Sequence, residues 1–385
     1  MNWKEAIFGA LGDVDNAFDR LKWRLDERLG RARNQIVPFN GYGSHDLLTL
    51  KGLVIEDKGV QPAGDRDTLW RNLDNMYRRF ASVEVPGAVV AATIGGVTQA
   101  VRTDSNGYFE VNIIPQTPLT DQTWHPVALS LQEPASTPLL QATGAILLPP
   151  PSAAFGVISD IDDTVVISDA PHLLRMARLV FLSNARSRLP FAGVAALYRA
   201  LQRGVGQQTG NPIFYVSSSP WNLYDLLSDF FALQDIPDGP LFLREWNGSA
   251  QEGLPTEHRR HKLGVISRLL TRYPALPFIL LGDSGQTDPE IYAEVVLSYP
   301  GRIRAVYIRD VSRAAERTAA IAELARTIAA AGSTLLLAAD TLTLAQHLAV
   351  QGLIAPEALA AVAADKAQDE APPGDTERLL DSGDD

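Results

Sequence analysis

The chain has 385 residues, 46% of them hydrophobic, with 45 acidic and 34 basic side chains for a formal net charge of −11. That length and apolar share accommodate two domains with sizeable cores, and the acidic balance argues against nonspecific nucleic-acid binding. Cysteine is absent, which excludes disulfides, thiolate metal sites and a cysteine nucleophile, and the six histidines lack the spacing of a zinc site.

The first predicted element is an amphipathic helix within residues 1–35. Ile7, Leu11, Val14, Phe18, Leu21, Leu25 and Leu29 recur at three- and four-residue spacing, and Arg20, Lys22, Arg24, Arg28, Arg31 and Arg33 crowd its second half. Such a helix fits an anionic membrane surface; it equally fits a stripe docked on the body of the protein. No stretch approaches the roughly 20 apolar residues of a membrane span. The start Met1-Asn2-Trp3-Lys4-Glu5 lacks the charged and apolar regions of a secretory signal. The expectation is a cytoplasmic protein with peripheral membrane contact.

Residues 36–148 read as a small β domain. Strands are predicted at Leu48–Ile55, Ala88–Ile94, Thr98–Thr103, Tyr108–Ile113 and Val127–Leu131, with one helix at Thr68–Phe80. Asp104-Ser105-Asn106-Gly107 between two of these strands is a hairpin signal. The stretch from Pro86 to Phe109 resembles transthyretin-like and carboxypeptidase-regulatory-like β-sandwich domains, a likeness that carries no catalytic residue. Pro149-Pro150-Pro151 lies in a stiff linker, residues 149–152.

The chemistry is concentrated in residues 153–365. Phe155-Gly156-Val157-Ile158 reads as a buried strand that breaks into Asp160-Ile161-Asp162-Asp163-Thr164. Two carboxylates this close, Asp160 and Asp162, repel unless a cation lies between them, and Mg2+ prefers such oxygen ligands. The plainer reading is an acidic turn, since Asp and Thr are ordinary turn residues. Helical patterning follows through Leu173, Ala177, Leu179 and Phe181 and again through Val194, Leu197 and Leu201, with the return to the sheet expected at Pro190-Phe191-Ala192-Gly193. This leaves space for a flap but not obviously for a large cap domain. A second strand, Pro212-Ile213-Phe214-Tyr215-Val216, ends in Ser217-Ser218-Ser219-Pro220-Trp221, whose hydroxyls and free backbone N–H groups suit a phosphate.

His258-Arg259-Arg260-His261-Lys262 then opens a helical pattern continued by Val265, Ile266, Leu269 and Leu270. This puts cations in a first turn, where the helix dipole disfavours them. A lysine there makes sense facing an anion, although a solvated basic turn is the bland alternative. A third strand, Phe278-Ile279-Leu280-Leu281, ends in Gly282-Asp283-Ser284-Gly285-Gln286-Thr287-Asp288 and supplies a second carboxylate pair. After Asp310 come an Ala-rich helix, a strand at Thr334–Leu337 and further helix from Leu342. Residues 366–385 carry seven acidic and two basic side chains and are expected to form a disordered acidic tail.

In an open parallel sheet ligands bind beyond the carboxyl ends of the strands, so these strand ends are expected to converge on one crevice. The ordered set Asp-x-Asp-x-Thr, strand-Ser, Lys, Gly-Asp-x4-Asp resembles the motifs of haloacid-dehalogenase-like phosphatases. The fuller segments are similar to the catalytic domain of the actin-patch-protein phosphatidate phosphatases, and more distantly to lipin, over about Phe155 to Asp310. These segments are the serine run through Tyr224, His261-Lys262, Gly282 through Tyr292 and Tyr307-Ile308-Arg309-Asp310. The resemblance implies an α/β fold, a haloacid-dehalogenase-like doubly wound parallel sheet preceded by a small β-sandwich domain.

It also implies roles. Asp160 would be the nucleophile that forms an aspartyl-phosphate and Asp162 the general acid/base. Mg2+ would be held by Asp160, the Asp162 carbonyl, Asp283 and Asp288. Ser217 and Lys262, with Thr164 as loop-orienting or phosphate-touching partner, would bind phosphoryl oxygens. The expected substrate is phosphatidate or another phosphomonoester. Two alternatives stay open: a phosphatase of a soluble or protein phosphate, and a non-catalytic lipid- or phosphoprotein-binding module.

Overall fold

The computed structural model describes residues 34–56, 83–136, 139–161, 191–206, 210–244, 255–312 and 314–370. The helices expected within residues 1–35 and at Thr68–Phe80, the flap, Asp162, Thr164 and the chain after 370 lie outside the described residues or nearly so. The chain divides into two compact units that change over between Leu148 and Pro149.

The first unit is an eight-stranded sheet of β1 (Asn34–Pro38), β2 (Gly41–Gly43), β3 (Leu48–Glu56), β4 (Val89–Ile94), β5 (Val97–Arg102), β6 (Tyr108–Ile113), β7 (Trp124–Glu133) and β8 (Gln141–Leu147). Its order is β1-β3-β2-β8-β7-β4-β5 with β6 also on β3, and its pairs are antiparallel except β2 with β8. Alternate residues face one core: Phe109, Val111 and Ile113 from β6 and Val127, Leu129 and Leu131 from β7 meet Leu48, Leu50 and Val54 of β3.

The turn at Asp104–Gly107 forms as expected. Asp104 Oδ1 accepts from the Asn106 and Tyr108 N–H groups at 2.8 and 2.9 Å, and Gly107 sits at φ 76°. The hairpin itself does not form, because β5 pairs with β4 and β6 with β3. The two-residue hairpin is instead Gly95-Gly96, at φ 58° and 76°, where Ile94 faces Val97. Local turn chemistry fixed the bend, and burial of the β6 apolar face against β3 chose the partner.

The second unit is a six-stranded parallel sheet. Its strands are β9 (Gly156–Asp160), β10 (Ile213–Pro220), β11 (Leu241–Arg244), β12 (Phe278–Asp283), β13 (Ile303–Arg309) and β14 (Leu335–Ala338), in the order β11-β10-β9-β12-β13-β14. Its helices are α1 (Val194–Arg203), α2 (Tyr224–Leu233), α3 (Pro255–Arg272), α4 (Asp288–Ser298), α5 (Ala315–Ala330), α6 (Thr341–Val350) and α7 (Ala358–Asp369). The central strands read as apolar runs since both faces are covered: every residue of β9 and β12 is buried. The strand order runs outward from β9 to β11, then reverses to β12, making the gap between β9 and β12 the switch point where ligands bind in open α/β sheets.

Two boundaries differ from expectation. The helix bearing Lys262 starts at Pro255, a residue suited to a first helical position, so Lys262 lies about two turns in and the first-turn dipole argument does not apply to it. The last helix runs to Asp369, past the expected tail boundary at 365. Its acids serve packing: Asp369 Oδ2 accepts from the Gly193 N–H at 2.8 Å and Asp365 Oδ2 from the Ala196 N–H at 2.9 Å, capping the start of α1.

Candidate active site

Asp160 ends β9 and Asp283 ends β12, on the two strands that flank the switch point. Asp288 is the first residue of α4, five residues beyond Asp283, and Lys262 reaches in from α3. All four side chains are buried. Lys262 Nζ lies 3.0 Å from Asp160 Oδ1 and 2.5 Å from Asp288 Oδ1. Carboxylate oxygens of Asp160, Asp283 and Asp288 all fall within 4.8 Å of one another. Ser217 is buried within β10, which runs on to Pro220 rather than stopping at Val216, one residue past the point where Val216 faces Asp160, and its Oγ accepts from the Ser219 N–H at 2.9 Å. Of the expected site residues, the sheet thus brings Asp160, Lys262, Asp283 and Asp288 together and sets Ser217 within the neighbouring strand β10. Asp162 and Thr164 lie outside the described residues.

The electrostatics follow from three buried carboxylates against one ammonium. Burial alone would push the Lys262 pKa down, but Asp160 and Asp288 outweigh it and hold the ammonium charged. The Asp283 carboxyl is pushed up to about 7, by burial first and then by the charge of Asp288. Its two oxygens are used differently. Oδ1 accepts from the Gly285 and Gln286 N–H groups at 2.6 and 2.9 Å, whereas Oδ2 is buried with no hydrogen-bond partner among the described residues. An orphaned carboxylate oxygen among other carboxylates is expensive unless a cation completes it. An all-oxygen donor set fits a hard divalent cation such as Mg2+.

Three contributions to this geometry were not read from the sequence. Gly282 allows the close approach of α4, since a Cβ there would lie 2.4 Å from Asp288 Oδ2 and 2.8 Å from Tyr292 Cε2. Tyr292 O–H donates to the Leu281 carbonyl at 2.8 Å, tying α4 back to β12. Arg317, on α5, grips the loop after Asp283 from outside. The glycine stood inside a motif already singled out, whereas nothing local marks Arg317.

The fold and the cluster define an α/β domain that gathers three buried carboxylates and a lysine at its switch point. Residues 155–310 match the family model described as "Phosphatidate phosphatase APP1, catalytic domain", and this segment is similar to catalytic domains of that type. Among curated relatives, the Saccharomyces cerevisiae "Phosphatidate phosphatase APP1" is 35% identical over 155 residues, 40% of this chain and 25% of that protein. An uncharacterized protein of Schizosaccharomyces pombe is 29% identical over 219 residues, 55% of this chain and 34% of that one. The chain therefore spans between a quarter and about a third of the length of these relatives. Among solved structures, a carbohydrate acetylesterase from Xanthomonas citri aligns over 69% of this chain and 66% of its own at 14% identity, with a TM-score of 0.25, too low to bear on fold or function.

Proposed function

We propose that the chain is a Mg2+-dependent phosphatidate phosphatase that hydrolyses phosphatidate to diacylglycerol and phosphate through an aspartyl-phosphate. The observation that carries this reading is the buried cluster of Asp160, Lys262, Asp283 and Asp288 at the switch point, inside the segment that matches the catalytic-domain model. The second unit is read as a haloacid-dehalogenase-like sheet and the first as a sandwich-like arrangement.

Asp160 supplies the attacking carboxylate oxygen, and the phosphorus–alkoxide bond breaks as the phosphorus–carboxylate bond forms. Asp162 gives a proton to the leaving alkoxide and then takes one from the water that attacks the aspartyl-phosphate, releasing phosphate. Lys262 holds Asp160 in place and, with Ser217, bears on the negative charge of the transferring phosphoryl oxygens. Thr164 orients the nucleophile loop. Asp160, Asp283 and Asp288 would hold Mg2+, with the Asp162 carbonyl, and the ion would neutralise charge on the phosphoryl group. Access to a lipid substrate is assigned to the basic stripe from Arg20 to Arg33, on the cytoplasmic side of an anionic membrane.

Phosphate release from phosphatidate in mixed micelles, beside a panel of soluble phosphomonoesters and with or without Mg2+, tests the reading. The expected result is release that is fastest from phosphatidate and abolished by chelation. Metal-independent turnover, or no release from any ester, overturns it, and faster release from soluble esters reassigns the substrate. Vesicle binding by a chain lacking residues 1–35 tests the membrane assignment, and unchanged, salt-sensitive binding sinks it.

A further inference from the structure

Among the described residues one side chain bridges the two pieces of backbone that carry Asp283 and Asp288. Arg317, in the first turn of α5, donates from Nε to the Ser284 carbonyl at 2.8 Å and from Nη2 to the Gln286 carbonyl at 2.5 Å. The same guanidinium pairs with both carboxylate oxygens of Glu290, one of them at 3.0 Å, in the first turn of α4. A planar fork that bonds two loop carbonyls and a bidentate carboxylate fixes the loop relative to the helix in a way a single ammonium cannot.

The loop is held on its other side as well. Ser284 Oγ accepts from the Val311 and Ser312 N–H groups at 2.9 and 3.1 Å, and the Ser284 N–H donates to the Arg309 carbonyl at 2.8 Å. With its carbonyls turned out toward Arg317, the loop turns its Gly285 and Gln286 N–H groups inward onto Asp283 Oδ1, which leaves Oδ2 for the cluster. Glu290, two residues after Asp288, carries the same constraint to the start of α4.

We propose that Arg317 is a positioning residue that sets the Mg2+ affinity of the carboxylate cluster, by locking the 284–286 loop against the first turn of α4. This rests on the reading of the cluster as a Mg2+ site. Arg317 bonds the Ser284 and Gln286 carbonyls and Glu290, and acts through them on which oxygen of Asp283 is offered and how far Asp283 stands from Asp288. Outer-layer partners of metal ligands change metal affinity by roughly 10–100-fold when removed.

The test uses the full chain, stripped of metal and titrated with Mg2+ alone, with the rise in melting temperature giving the Mg2+ midpoint. Arg317→Lys keeps the positive charge near Asp283 and Asp288 and loses the fork, so its midpoint is expected to rise about tenfold or more. Glu290→Gln, which weakens only the link to α4, is expected to shift the midpoint in the same direction by less and provides a second route if Arg317→Lys is poorly folded. Arg326→Lys, in an exposed pair with Glu323 on the same helix, is expected to leave it in place. A midpoint equal to that of the wild-type chain in folded Arg317→Lys and Glu290→Gln overturns the inference while leaving the metal site standing. A wild-type chain that shows no Mg2+ midpoint overturns the site reading and the inference together.

Discussion

The two units of this chain bury different chemistry. Among the described residues of the eight-stranded unit, the polar residues buried as a whole are Thr49, Thr103 and His125, and each is satisfied close by, while the partly buried Asn34 and Gln35 each leave a side-chain oxygen without a hydrogen-bond partner. Thr103 Oγ1 donates to the Val85 carbonyl and accepts from the Ala88 N–H, both at 2.8 Å, Thr49 Oγ1 donates to Asn112 Oδ1 at 2.7 Å, and His125 Nε2 bonds the Gln122 carbonyl at 2.8 Å. The parallel-sheet unit buries Asp160, Lys262, Asp283, Asp288 and Arg309. Burying a charge costs several kcal/mol unless it is paired and bonded. The first unit spends its burial on a fold, while the second concentrates at one sheet end an arrangement that folding alone does not call for.

The largest expected effect breaks the comparison at its centre. Asp160→Asn keeps the size of the side chain and removes both the attacking oxygen and a charge, so phosphate release should fall by about 10³-fold or more with the fold intact. Removing one negative charge from a carboxylate-rich cluster should also leave the metal-free chain no less stable. Turnover above a few per cent of wild type in a variant with an unchanged circular dichroism spectrum would remove Asp160 from the nucleophile role.

What the sequence revealed of this site, and what it hid, follows the range of the forces involved. Asp160 and Asp283 are legible because each stands where an apolar run stops, and buried parallel strands announce themselves by such runs; Asp288 is legible only as the second carboxylate of the polar segment that follows Asp283. Lys262 is legible through its neighbours, but the pattern from His258 onward places the helix start three residues late, because the true start is Pro255. The Asp104–Gly107 bend was legible for its local turn chemistry, while its strand partners depend on which apolar faces meet across the core. Gly282 and Arg317 act through contacts that no spacing rule encodes. For Gly282 the contact is steric, and for Arg317 it crosses about thirty residues of chain.

A smaller effect is expected from Gly282→Ala. Its Cβ would collide with Asp288 Oδ2, Asp288 Cβ and Tyr292 Cε2, at 2.4, 2.8 and 2.8 Å, so α4 must move away from β12. Overpacking of this kind costs roughly 1–3 kcal/mol, and the displacement carries Asp288 away from Lys262. Urea unfolding should show the loss, and the Mg2+ requirement for turnover should rise with it. Wild-type stability together with a wild-type Mg2+ requirement would mean that the close approach of α4 is not a constraint.

The buried charge should also be visible as a pH dependence of the metal-free chain. Asp283 has its carboxyl raised from an ordinary 3.8 to about 7 by burial and by Asp288. A carboxyl raised on folding binds its proton more tightly in the native state. Its contribution to stability is therefore fully present below about pH 3.8 and lost as the pH rises toward about 7. Relative to Asp283→Asn, which cannot ionise, wild type should lose stability across that window in the presence of chelator, and Mg2+ should restore it at neutral pH. Parallel stability–pH curves for the two proteins would remove the strain assigned to this carboxylate.

The smallest effect has the opposite sign and sharpens the contrast between glycines within one unit. Gly264 lies exposed in α3, two residues from Lys262, and a Cβ built there meets nothing within 4 Å. Glycine in a helix interior costs about 0.5–1 kcal/mol relative to alanine, through the extra freedom it keeps in the unfolded chain. Gly264→Ala should therefore stabilise the chain by about that amount, with turnover and the Mg2+ midpoint unchanged. Gly282→Ala and Gly264→Ala add the same methyl group eighteen residues apart in sequence, one against the carboxylate cluster and one into open space. Opposite signs in urea unfolding would show that the tolerance lost at Gly282 belongs to the site. A loss of stability at both positions would instead point to a general resistance of this unit to added volume, and would weaken the claim that the site alone sets the constraint.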